Sequence, residues 1–142
     1  MIISSLLDGD KSQCILTLED GHWLRATWRG FVDPDEARQG AENYLAHAAD
    51  FHCPYLLNDN LALRGPWFDS LEWLERVWLP QARHLNLRYI AHIPQADTNA
   101  DILTLRFPEP LIGQLELQIF EDVGQAEAWL RNCQQHAARL AR

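Results

Sequence analysis

Polar and apolar positions alternate early in the chain. Over residues 12–19 the apolar side chains fall at Cys14, Leu16 and Leu18. Over residues 22–29, Leu24, Ala26 and Trp28 alternate with Trp23, Arg25 and Thr27. A period of two belongs to a strand with one buried face. Asp20-Gly21 between these runs is a strong hairpin signal. The two segments therefore read as an antiparallel β-hairpin, with a shorter strand at residues 2–7 beside it.

The period then changes. In Asp33-Pro34-Asp35-Glu36, Asp33 suits a helix cap, Pro34 the first turn, and Glu36 the return bond of a capping box. Ala37, Ala41, Tyr44, Leu45, Ala48 and Phe51 follow at helical spacing, with Glu36, Gln39, Asn43 and Asp50 turned away from them, until Pro54. Tyr55-Leu56-Leu57 running into Asn58-Asp59-Asn60 reads as a buried strand feeding a loop. Gly65-Pro66 introduces a second helix over residues 67–85, with Leu71, Leu74 and Trp78 on one face and Pro80 kinking or dividing it.

Residues 87–93 form the next strand, closed by Pro94. Asp97 suits the cap of a short helix reaching Leu105, although Leu103, Leu105 and Phe107 also alternate like a strand. Residues 115–120 read as a strand. Asp122 and Gln125 repeat the capping logic, and the last helix carries Ala126, Trp129, Leu130, Cys133, Ala137 and Leu140 on one face. Arg131, Arg139 and Arg142 come late in it, where the helix dipole favours positive charge. Strands separated by helices require parallel crossovers. The expectation is an α/β fold in one domain over residues 1–142: a single mixed, mostly parallel sheet begun by an antiparallel hairpin, with about four helices.

Composition narrows the partners. The chain has 142 residues, 47% hydrophobic and 23% charged, with a formal charge of -8. This is an ordinary globular composition. The acidic balance speaks against generic nucleic-acid binding and against an anionic membrane surface. No apolar run approaches the ~20 residues of a membrane helix, so no integral membrane association is expected. The first residues lack the basic and apolar segments of a signal peptide. The odd count of three cysteines (Cys14, Cys53 and Cys133), with no CxxC spacing, fits free thiols in a reducing cytoplasm.

The order of elements resembles the STAS superfamily, the anti-sigma-factor-antagonist fold. It is closest to the SpoIIAA-like branch, which shares its architecture with lipid-transfer domains of the CRAL-TRIO type. The residues that carry the resemblance are the hairpin at Asp20-Gly21, the strand Tyr55-Leu56-Leu57-Asn58-Asp59, the segment from Trp73 to Trp78-Leu79-Pro80, and Ile119-Phe120-Glu121-Asp122 followed by Ala126, Trp129 and Leu130. The resemblance implies regulation or binding rather than chemistry. Antagonist members carry a phosphorylatable serine or threonine just after the strand that matches 55–59. This chain has Asn58-Asp59-Asn60-Leu61 there, which argues against the phosphoswitch and leaves Ser70 as a weak phosphorylation candidate.

Candidate chemistry is sparse. No GxSxG, phosphate-cradling glycine loop or dinucleotide fingerprint occurs, and the six histidines show no metal-ligand spacing. No catalytic residue, metal or cofactor is implied. Asp59 is the best placed carboxylate, at the expected carboxyl end of a parallel strand, where open sheets bind ligands. The six tryptophans are the informative feature. Helical arithmetic puts Trp78 with Leu71 and Leu74 on the core face and turns Trp73 at least partly out of it. Asp59, Leu61, Leu63, Trp67, Phe68 and Trp73 are thus expected to form an apolar lip with one charge. This lip would serve a protein partner or a second copy in a homodimer, or else a small apolar ligand such as a lipid.

Overall fold

The computed structural model describes residues 1–9, 11–96 and 105–140. Six strands form one sheet in chain order: β1 (Ile2–Asp8), β2 (Ser12–Leu18), β3 (Leu24–Phe31), β4 (Tyr55–Arg64), β5 (Tyr89–Ile93) and β6 (Glu116–Ile119). β1, β2 and β3 pair antiparallel, and β3 through β6 pair parallel. The mixed sheet read from the hydrophobic pattern is therefore present. The hairpin turn is longer than Asp20-Gly21 alone. Glu19 N–H donates to the Trp23 carbonyl, His22 N–H donates to the Glu19 carbonyl, and His22 takes φ +68°. β3 consequently begins at Leu24 rather than at residue 22. A side chain at Gly21 would run into the Trp23 ring, which explains the glycine there.

Three helices cover this sheet among the described residues, where about four were expected: α1 (Pro34–Phe51), α2 (a π-helical turn, Leu74–Trp78, continuing into Leu79–His84) and α3 (Val123–Leu140). The helix expected from Asp97 falls almost wholly outside the described residues; its last residue, Leu105, is described and lies in no helix. The α1 cap forms as read. The Asp33 carboxylate accepts from Glu36 N–H at 2.8 Å, and Glu36 accepts from Asp33 N–H. The second helix starts later than residue 67, because Trp67 adopts φ +60° and its N–H is tied to the Val32 carbonyl. Pro80 has no N–H for the Arg76 carbonyl. The chain widens just before it, and Leu79 N–H bonds back to Leu74 instead.

A sheet built in chain order sends successive right-handed crossovers over the same face. Ala41 and Tyr44 of α1 and Leu74, Trp78, Leu79 and Ala82 of α2 accordingly share one core with Leu16, Leu24, Ala26, Leu56 and Ile90 of the sheet. Leu111 and Leu115, from the β5–β6 connection, join them. The opposite face is left to α3, which packs Ala126 and Leu130 on Trp23, Leu57, Ala91 and Ile93. Its cap is Asp122, accepting from Gln125 N–H at 2.8 Å. Ala137 and Leu140, expected on the buried stripe, are exposed, so the apolar stripe outruns the surface it covers.

Candidate functional site

β4 is longer than its apolar start suggests. Asn58, Asp59 and Asn60 are not a loop but buried positions within the strand. Alternation sends Leu56, Asn58 and Asn60 toward α1 and α2, and Leu57 and Asp59 toward α3. Between Thr27 and Arg29 of β3, β4 advances from Asp59 to Ala62 and so carries one extra residue. The Asp59 carboxylate accepts the Leu61 N–H at 3.0 Å across this bulge.

Three buried polar side chains form a neutral ladder on the α1 side. Trp28 Nε1 can only donate, and it meets Asn58 Oδ1 at 2.9 Å. The Asn58 amide must then face the other way, where it donates to Asn60 Oδ1 at 2.9 Å and meets His92 Nδ1 at 3.2 Å. His92 Nδ1 is thereby the acceptor, and the proton of the neutral ring sits on Nε2. Burial holds the His92 pKa down at about 4, with the Asp59 charge opposing weakly. His92 is 3% exposed and uncharged at neutral pH. Neither His92 nor Asn58 is among the site residues expected from the sequence. The available signal was a lone polar residue inside the apolar run Tyr89–Ile93, which requires a partner when buried.

This ladder floors a cavity of about 60 Å³ between the sheet, α1 and α2. Ala26, Trp28, Ala41, Tyr44, Trp78 and Ile90 contribute to its walls, and Trp67 and Phe68 to its mouth. Trp78 is pinned by its indole N–H on the Ala41 carbonyl at 2.9 Å. Among the described residues no charged side chain lines the space. Tyr44 is pushed up by burial. Neither it nor His92 exchanges a proton near neutral pH.

The structure splits the expected lip. Leu63 is buried beneath Trp67 and Phe68. Trp67 meets Phe68 edge-on at 4.9 Å, Phe68 stacks on Trp73 at 6.0 Å, and the Arg38 guanidinium sits 5.4 Å over the Trp73 ring. Trp73 is half-buried. Asp59 and Leu61 lie elsewhere. Asp59 is in mid-strand on the α3 side, not at a strand end, and binds Arg25 at 2.8 Å. Leu61 sits on the bulge and is 47% exposed. Ser70 is exposed, and its Oγ accepts Glu72 N–H at 3.2 Å at the start of the second helix. No three His, Cys, Asp or Glu side chains gather as a metal site among the described residues. No described helix is long and apolar enough to cross a membrane.

Comparison with known proteins gives no match to a family model, a curated protein or a solved structure. The reading of the site rests on its own geometry.

Proposed function

We propose that this chain is a non-enzymatic cytoplasmic binding module that holds a small apolar molecule under the Trp67–Phe68 mouth, as a carrier or sensor. The observation that carries this is the chamber itself: an apolar space with no charged side chain among the described residues, whose Asn58 is held by hydrogen bonds to Trp28, Asn60 and His92. Sites for small molecules combine apolar walls with a few placed polar groups in this way. The resemblance to the SpoIIAA-like branch leads to the same class, through its architectural kinship with lipid-transfer domains. A volume of 60 Å³ is below the ~150 Å³ that accommodates benzene in an engineered cavity. The occupant is therefore a compact molecule or the end of a longer one.

Regulation by docking a protein partner through residues 67–78 draws less support. The aromatic rings there are turned onto one another and onto Arg38. Of the exposed large apolar side chains only Val77 belongs to that segment among the described residues; the most exposed are scattered at Leu140, Met1, Ile2, Ile112 and Leu7. A serine phosphoswitch draws little either, since Ser70 acts as a helix-start cap.

Ala41→Leu fills the chamber from α1. Organic extraction of the purified wild type should release a small molecule near one per chain, and extraction of Ala41→Leu should not. Titration with butanone or 2-methyl-1-butene should move tryptophan indole resonances of the emptied wild type only. An empty extract together with no response to either probe overturns the reading.

A further inference from the structure

The chamber carries a donor without a hydrogen-bond partner among the described residues. The Trp67 and His92 rings stack at 5.7 Å and both line the cavity. Trp67 Nε1 is sealed from solvent and has no hydrogen-bond partner among the described residues. His92 spends Nδ1 on Asn58, leaving the Nε2 proton with no partner shown among the described residues. Buried N–H groups are ordinarily paired, so the orphaned Trp67 Nε1, stacked beside the His92 ring in one cavity wall, calls for an acceptor brought from outside. Trp28 Nε1 and Trp78 Nε1, the other indole donors among the residues lining the cavity, are both satisfied internally.

Resting on the binding role above, we infer that the chamber selects an uncharged carbonyl compound, its oxygen taken by the Trp67 and His92 donors and its hydrocarbon part by the surrounding apolar walls. A carbonyl oxygen has two lone pairs, one for each N–H. A carboxylate would enter a wall that has no cationic side chain among the described residues and lose its hydration without a counter-charge. A free fatty-acid anion is thereby disfavoured. A plain hydrocarbon would fit the walls but leave both donors unmade. A hydrogen bond and its alternative, an orphaned donor, together separate such ligands by about tenfold.

Three probes of five heavy atoms isolate these terms: butanone, its methylene isostere 2-methyl-1-butene, and propanoate. Binding is followed by the indole N–H resonances of Trp28, Trp67 and Trp78, which all line the cavity, that of Trp67 being assigned with Trp67→Phe. Butanone should bind about tenfold more tightly than 2-methyl-1-butene and should displace the Trp67 resonance. Propanoate should bind more weakly than butanone. In Trp67→Phe the preference for butanone should shrink while the affinity for 2-methyl-1-butene is kept; if this variant does not fold, the wild-type ranking decides alone. Equal binding of butanone and its isostere overturns the inference and leaves an apolar pocket standing. Tighter binding of propanoate overturns it as well. Silence from all three probes overturns the inference, and together with an empty extract it removes the binding role as well.

Discussion

Asn58 and His92 face each other as register partners across the parallel pair β4–β5, with the Asn58 amide 3.2 Å from His92 Nδ1. Asn58 is the only member of the ladder that touches all the others described above. It takes the Trp28 proton and supplies both of its own.

Removing it should cost more than any of its bonds alone. Asn58→Leu is close in volume but strands the Trp28 N–H, the Asn60 oxygen and His92 Nδ1. Each orphan costs about 1–3 kcal/mol, so a net loss of about 3 kcal/mol is expected in urea unfolding. A loss below about 1 kcal/mol would show that the ladder contributes little.

His92 makes the fold acid-sensitive. Its folded pKa is about 4 against 6.5 for an exposed histidine. Between those values the unfolded chain binds a proton that the folded chain refuses. Stability supplied by keeping His92 neutral is complete above about pH 6.5 and is lost as pH falls toward 4. The whole difference is about 3 kcal/mol. Unfolding free energies from pH 7.5 to 4.5 should fall more steeply for the wild type than for His92→Gln. Parallel profiles would contradict this.

The Arg25–Asp59 pair tests the other face. Asp59→Asn keeps the bond to Leu61 but removes the charge beside Arg25, at a cost of about 1–2 kcal/mol. Asp59→Leu loses both and should cost about 2–3 kcal/mol. Arg25 retains some access to water, its side chain being 23% exposed, which keeps the cost below that of a fully buried pair. Equal effects of the two substitutions would remove the bulge clamp from the account.

Gly40→Ala sets two effects against each other. Alanine is favoured over glycine by about 1 kcal/mol inside a helix. Here its Cβ would fall within the Trp28 indole, whose position is fixed by Asn58. The clash should win by about 2 kcal/mol, measured as a drop in Tm. A stabilised variant would mean that Trp28 yields freely.

Local rules made much of the fold legible. The capping box at Asp33 and Glu36, the break before Pro54 and the disturbance at Pro80 each follow from neighbouring residues alone. The alternation from Leu24 to Trp28 placed the right side chains on the core face. Position 58–60 defeated the same reasoning, because three consecutive polar residues read as loop unless their partners are known. Those partners lie 30 or more residues away, at Trp28 and His92, and only the strand register brings them together. Residue 67 reads as the start of a helix but lies in a loop for a related reason: a bond to Val32, distant in sequence, selects its left-handed backbone. The expected lip failed at Asp59 because a strand continuing past it turned that carboxylate to the opposite face.

Strand order that copies chain order also has a consequence for synthesis. As the chain emerges from its N-terminus, each new strand finds its neighbour already made, and no vacant slot must wait for a later segment. α3 alone arrives after the sheet it covers. Until it does, Leu57, Ala91 and Ile93 stay wet, and a nascent or truncated product ending before Val123 offers that greasy patch to chaperones or to its own copies.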